Sequence, residues 1–293
     1  MGIKLLNRFL TDNCSKRAIK RTHLSQLTGK SIVVDTSIYL YKFAENDALI
    51  KNMTTLINIL KHHRISPLFI FDGKAPPEKR ELLIQRRNQK KEAEDQYNLL
   101  KLELEQNPEP IIAQKIANEM NDLKHKFVRI RQQDIINVKQ LFDTSNVPYR
   151  DAIGEADTLC AHLVNAGKAW ACLTDDMDMF VYGCQHVLRN INLQKQTLTH
   201  YDMSLILNEL QMNLPIFKQI MVFSGSDYNI NANHSIHNTI QLYYTYRKTN
   251  RPTNNSPAFY TWLLNSKNIE MDEYEKLMTA YNMFDLTNFD PDN

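Results

Sequence analysis

KAWACLTDDMDMF, residues 168–180, is a short apolar run that breaks off into acid. Asp175, Asp176 and Asp178 fall within four positions. Carboxylates this close repel and raise one another's pKa unless a positive group sits among them. Two earlier stretches share the plan. SIVVD (31–35) is a β-branched run ending in Asp35, and PLFIFDG (67–73) opens at Pro67 and ends at Asp72-Gly73. Helical patterns lie between, over TSIYLYKF, 46–63 and 155–166. Strands alternating with helices pair in parallel, which predicts an α/β domain: a mostly parallel central sheet flanked by helices. Such sheets gather ligands at the carboxyl ends of their strands. Each of these three strands delivers an aspartate there.

Between about 78 and 145 the texture changes. PEKRELLIQRRNQKKEAEDQYNLLKLELEQ is long, charged and helical, NPEP (107–110) breaks it, and a second helix resumes. Two polar helices around a proline break make an excursion from the sheet, either an arch over a site or a hairpin used only for contacts. After FSGSDYN (223–229) the chain reads as helical and rich in Asn and Tyr.

Composition excludes several classes. The 293 residues are 43% hydrophobic and 23% charged, ordinary for a globular protein. No apolar run approaches the roughly 18 residues of a membrane span, and the N-terminus lacks the pattern of a signal peptide. The four cysteines form no C-x-x-C pair and read as free thiols of a reducing, intracellular compartment. Net charge is only +2, but its distribution is uneven. Residues 1–30 hold seven Lys and Arg against Asp12 alone, and Lys74, Lys79, Arg80, Arg86, Arg87, Lys90 and Lys91 form a second basic set. Basic patches around an acidic centre suit a protein that grips a polyanion and holds metal at the point of attack. Any one patch also reads as a solvated helix face.

The acids can be weighed singly. Asp35 could cap a helix, Asp72 could make a turn, and Glu155 and Asp157 in GEADT could serve the dipole of a first helical turn. Asp176, Asp178 and Asp227 could be loop acids or caps. Together they lie where an α/β fold converges. Oxygen-rich clusters without Cys or an organised His set suit hard cations, Mg²⁺ or Mn²⁺. So many carboxylates fit two ions about 4 Å apart, as used for in-line displacement at phosphorus. Lys79 and Arg86, seven residues apart on the first arch helix, share a face. There they could neutralise charge on an attacked phosphate, or form a surface stripe paired with Glu78 and Glu81. LTGKS (27–31) is no P-loop, because Leu24 stands where the first Gly is required.

MGI, VVDTSIYLYKF, FIFDGKAPPEKRELLIQRR, VPYRDAIGEADTLCAHLVNAGK, LTDDMDMFVYG and FSGSDY stand in one order over residues 1 to about 229. In that order they resemble the flap endonuclease and XPG-type 5′ nuclease superfamily. The resemblance implies a nuclease core over 1–229, with a helical arch about 76–128, and a helical C-terminal region over 230–293. It implies a structure-specific 5′ nuclease of DNA replication, repair and recombination, working as a monomer on 5′ flaps, nicked or branched duplexes and single-stranded 5′ ends. Two Mg²⁺ ions, replaceable by Mn²⁺, would be held by Asp35, Asp72, Glu155, Asp157, Asp176, Asp178 and Asp227. Lys79 and Arg86 match the two catalytic cations at the base of the arch, with Arg87 beside them on the DNA. Tyr41 matches an aromatic that stacks on a nucleotide, Gly2 a residue near the DNA, and Gly225 the close-approach glycine before the last ligand. Asp175 is not carried over.

The chain also departs from the family. NINANHSIHNTIQLYYTYRK lacks the glycines of the family's helix–two-turn–helix, which grips duplex DNA and a monovalent cation, so that motif is expected to be degenerate. No sliding-clamp peptide is evident in YNMFDLTNFDPDN. The compact, Asn-rich chain resembles forms encoded by large DNA viruses, so the expected compartment is the nucleus or, for a viral form, the host cytoplasm. Alternative readings are a 5′→3′ exonuclease of recombination or double-strand-break repair, and a non-catalytic nucleic-acid-binding scaffold.

Overall fold

SIVVD is apolar at successive positions because both of its faces are covered. Ile32 and Val34 enter one core while Val33 enters the other, as the two-residue period of a strand requires. The structure, a computed structural model, describes residues 3, 5–45, 48–106, 110–229, 234–249, 258–287 and 289–291. Its strands are β1 (Ile19–His23), β2 (Ser31–Asp35), β3 (Ser66–Phe71), β4 (Tyr149–Asp151), β5 (Ala171–Leu173), β6 (His186–Asn192) and β7 (Thr197–Asp202). Among the described residues they form one seven-stranded sheet, ordered β1-β7-β6-β5-β2-β3-β4. From β6 to β4 all pairs are parallel, and β7 runs antiparallel to both of its neighbours. This is the mostly parallel, helix-flanked sheet expected from the sequence.

Helices cover both faces. In chain order they are α1 (Leu6–Asn13), α2 (Thr36–Ala44), α3 (Leu49–His62), α4 (Arg80–Gln106), α5 (Pro110–Lys124), α6 (Gln132–Thr144), α7 (Ala156–Asn165) and the short α8 (Asp178–Val181). They continue with α9 (Met203–Leu210), α10 (Leu214–Phe223), α11 (Ile236–Thr249), α12 (Ala258–Asn265) and α13 (Met271–Asn282). Leu40, Phe43, Met53, Leu56, Val138 and Phe142 bring α2, α3 and α6 onto one face. The other face takes α7, α8 and α10, and α11–α13 close over α10. Ile236, Ile240, Tyr243 and Tyr246 of α11 are buried there at helical spacing. The C-terminal helices therefore share the core of the sheet. Residues 230–233, in the segment expected to replace the helix–two-turn–helix, lie outside the described residues.

α4 and α5 pack side by side as a hairpin, with Pro110 opening its second arm. One expectation is corrected at its base: Lys79 is not on the first arch helix but in a single 3₁₀ turn, Pro77–Lys79, before it. Pro76 and Pro77 cannot donate to a preceding turn, so a helix cannot extend back through them, and Lys79 leaves the line of α4 to be buried. Among the described residues no helix is long and apolar enough to cross a membrane.

Chain order creates the crevice. After β2 the chain builds β3 and β4 on one side, then returns to place β5 on the other. The carboxyl ends of β2 and β5 thus flank a topological switch point. Gly73, just past β3, lies against the loop that follows β4: its N–H donates to the Gly154 carbonyl at 2.7 Å, and that of Lys74 to Ile153 at 3.0 Å. A Cβ at Gly73 would stand 2.1 Å from the Ala152 carbonyl oxygen, and backbone cannot swing aside. Gly73→Ala is expected to cost about 1–3 kcal/mol by overpacking, and to move Asp72 relative to α7. Urea unfolding and flap cleavage measured on one preparation check both effects.

Candidate active site

Asp35 ends β2 and stands at the N-cap position of α2, yet its side chain makes no capping bond. It accepts instead from Thr174 Oγ1 at 3.0 Å, across the switch point. The same hydroxyl accepts the Asp176 N–H at 3.1 Å, and Asp176 Oδ1 accepts the Asp178 N–H at 2.9 Å. One threonine thus ties the tip of β2 to the acidic turn after β5. Asp72 accepts the Ala156 N–H at 2.8 Å and the Ser37 hydroxyl, so it joins the tip of β3 to the start of α7. Glu155 and Asp157 flank that same helix start. Asp227 follows Gly225, whose φ of 105° only glycine adopts readily.

The positive group among these acids is Lys79. Its buried ammonium lies 2.8 Å from Glu155 Oε2, 3.9 Å from Asp157 Oδ2 and 4.0 Å from Asp227 Oδ2. The carboxylates raise its pKa against the opposing effect of burial. Arg86 Nη2 reaches Asp227 at 2.8 Å from α4. The alternative of a surface stripe paired with Glu78 and Glu81 is not what the two cations make. Burial, then Asp72 and Asp157, holds Asp35 well above the usual carboxylate range, with the Thr174 hydrogen bond opposing. Burial, then Asp176 and Asp227, does the same to Asp178. Asp176 is also raised, by burial. Asp157 is pushed up to about 7, burial and the surrounding acids outweighing Lys79.

The seven expected carboxylates therefore come together from five separate segments. Asp175 does not join them: it accepts from Lys42 Nζ at 3.0 Å and from the Asn190 N–H at 2.7 Å. Among the described residues no three acidic, His or Cys side chains stand as a ready-made metal cage. Lys79, Arg86 and backbone N–H groups occupy many of the oxygens. Both oxygens of Asp178, however, are buried without any hydrogen-bond partner, a costly condition for a carboxylate. An all-oxygen donor set with two such orphaned atoms fits a hard divalent cation.

Of the other expected site residues, Tyr41 is 43% exposed on α2. Lys90 Nζ stands 4.5 Å from its ring centroid. Arg87 is exposed on α4, and Gly2 lies outside the described residues. Thr174, Ser37 and Tyr228 are members that sequence reasoning missed. Tyr228 donates its hydroxyl to Glu155 Oε2 at 2.8 Å, and Lys79 Nζ lies 4.7 Å from its ring centroid. Thr174 and Tyr228 lie within the quoted LTDDMDMFVYG and FSGSDY, and a hydroxyl beside a cluster of acids is the signal that could have found them.

The raised Asp157 makes stability depend on pH. A carboxyl whose folded pKa lies above its unfolded value of 3.8 binds its proton more tightly when folded. Its contribution is complete below the unfolded pKa and is lost as pH rises through about 7. Asp35 and Asp178 act in the same direction. In chelator, the urea midpoint should fall as pH rises from about 5 to about 8. A flat profile would mean that these acids are ionised throughout.

The XPG N-terminal domain model matches residues 1–93 and the XPG I-region model residues 146–227, together more than half of the chain. Flap endonuclease 1 of Homo sapiens is 28% identical over 246 residues, 78% of this chain and 62% of its own length. That of Caenorhabditis elegans is 26% identical over 246 residues, 78% of this chain and 61% of its own length. The chain thus spans less than two thirds of these relatives. The solved catalytic core of Rad2 in complex with DNA substrate aligns with a TM-score of 0.67 at 20% identity, covering 99% of this chain and 88% of that one. Flap endonuclease-1 from Methanococcus jannaschii aligns at 0.58 and 18% identity, covering 97% and 99%. At such identities the structural likeness is one of fold. The matches of the XPG N-terminal domain, over β1 to β3, and of the XPG I-region, over β4 to β7, place the chain in the flap endonuclease/XPG superfamily.

Proposed function

We propose that this chain is a structure-specific 5′ nuclease that hydrolyses DNA phosphodiester bonds at flaps, nicks and branches. The observation that carries this reading is the gathering of seven carboxylates at the carboxyl edge of the parallel strands, three of them within 4.0 Å of the Lys79 ammonium and one paired with Arg86. Asp35, Asp72, Glu155, Asp157, Asp176, Asp178 and Asp227 would hold two divalent ions, Mg²⁺ or Mn²⁺ in its place. Bound there, such ions supply Lewis acidity and an activated water for in-line attack at phosphorus. Lys79 and Arg86 meet the negative charge that grows on the phosphate. The exposed ring of Tyr41 offers a stacking face to a base. Gly2, Arg87 and Gly225 would border the DNA, with the α4–α5 hairpin against the single-stranded 5′ end. Contacts of this kind go to phosphates, so sequence preference is small. A reducing compartment that holds DNA, the nucleus or for a viral form the host cytoplasm, is the place of work.

A 5′-flap duplex labelled at its flap tests the reading. Release of the flap in Mg²⁺, stopped by chelator and faster than end release from a blunt duplex, is the expected result. Equal rates on both substrates would favour a 5′→3′ exonuclease. Binding without any metal-dependent release would leave a scaffold that keeps only the fold.

A further inference from the structure

Tyr228 has a single hydroxyl proton and gives it to Glu155 at 2.8 Å. Its ring is held from two sides, by Lys79 at 4.7 Å and by the edge of Phe284 at 5.1 Å and 84°. Phe284 belongs to the segment after α13, beyond both matched domains. It is 1% exposed and also packs edge-on against Tyr182 at 4.9 Å. The Tyr182 hydroxyl lies 3.4 Å from that of Tyr228 and 3.1 Å from Thr158 Oγ1, next to Asp157.

The segment is pinned at three points. Lys218, buried on α10, donates to the Phe284 carbonyl at 2.8 Å. The Phe289 ring lies 5.3 Å from His162 on α7, and Arg150 at β4 donates to the Pro291 carbonyl at 2.5 Å. Phe289 and Pro291 also line a cavity of about 410 Å³ together with Glu155 and Pro77, which opens the Lys79 turn. The stretch thus reaches α10, α7 and β4 and walls the side of Glu155.

We propose that residues 284–287 and 289–291 are a positioning element of the active site, in which Phe284 holds the Tyr228 ring so that its hydroxyl fixes Glu155 and its face seats Lys79. The inference rests on the nuclease reading for its effect on cleavage, but its geometry stands independently of that reading. Phe284 acts through Tyr228, so their losses should not add. Neither ring touches DNA in this scheme, so substrate affinity should be spared.

Tyr228→Phe removes the hydroxyl alone. Phe284→Leu keeps the core filled and loses the ring edge. Each is expected to lower kcat on a 5′-flap duplex, and to weaken Mn²⁺ binding measured by electron paramagnetic resonance, by about tenfold, with KM for the flap within about twofold of the parent. The double variant should be no worse than Tyr228→Phe. Phe284→Leu with a lowered melting temperature but parental kcat and Mn²⁺ affinity would overturn the proposal, as would losses that multiply in the double variant. Should the parent release no product at all, the nuclease reading falls while the Mn²⁺ isotherms still judge the brace.

Discussion

Asp178→Asn is expected to yield a protein that melts higher than its parent in chelator and cuts no flap. The side chain is buried, has two oxygens without donors, and faces Asp176 and Asp227. An amide of the same shape cannot ionise beside these two acids and brings two N–H donors to them. A gain of about 1 kcal/mol in unfolding free energy is the usual size for stabilising replacements at functional sites. The same change takes an anionic oxygen from the proposed ion site, so single-turnover cleavage should fall on the order of a thousandfold or more. Flap affinity, carried by phosphate contacts elsewhere, should stay within a few fold of the parent. Parental cleavage rates would remove Asp178 from the site. Lost cleavage together with lost stability would mean that the carboxylate is structural.

Lys79→Met should do the opposite to stability and the same to cleavage. The ammonium stands among Glu155, Asp157 and Asp227 with only 6% of its side chain exposed, so solvent screens the cluster little. Removing one partner of a buried ionic group strands the others and costs about 3–5 kcal/mol. Methionine keeps the length of the stem, so packing against Tyr228 is largely retained and the loss reports charge. Divalent ions held at the proposed site would bind the folded state, and a ligand that binds only the folded state stabilises it more as its affinity grows. Stripped of its internal cation, the variant should therefore gain more in melting temperature from Mg²⁺ than the parent does. Saturating metal should not restore kcat, because a cation that meets the phosphate in the transition state contributes about a hundredfold or more. Parental stability in chelator would imply that the neighbouring acids are already protonated.

The parts legible in the sequence are those that local chemistry enforces. SIVVD, PLFIFDG and AWACL are apolar because strands covered on both faces must be, and their acids mark the edge where helices leave room. β4 was not legible: Tyr149–Asp151 has no apolar run and reads as a turn before α7. The 3₁₀ turn at Lys79 was written in Pro76-Pro77, but the long charged stretch behind it made one continuous helix the simpler reading. Thr174 and Tyr228 depend on partners 139 and 73 residues away, a distance no local pattern carries. In FDLTNFDP (284–291) the apolar Phe284, Leu286 and Phe289 are interspersed with polar residues, a pattern too short to announce burial. Phe284 is buried only because α10, Tyr182 and Tyr228 happen to leave a slot for it.

The α4–α5 hairpin has a different status from everything around it. Among its described residues only Ala93 and Ile116 are buried apolar side chains, and Leu99 and Leu102 are more than half exposed. With so little apolar surface at stake, its backbone amides should trade protons for deuterium through small local openings, orders of magnitude sooner than those of β2 and β5, which wait for global unfolding. In the proposed reading, a strand of DNA meeting this hairpin would encounter a part of the molecule that can be reshaped without loosening the rigid acidic floor beneath it.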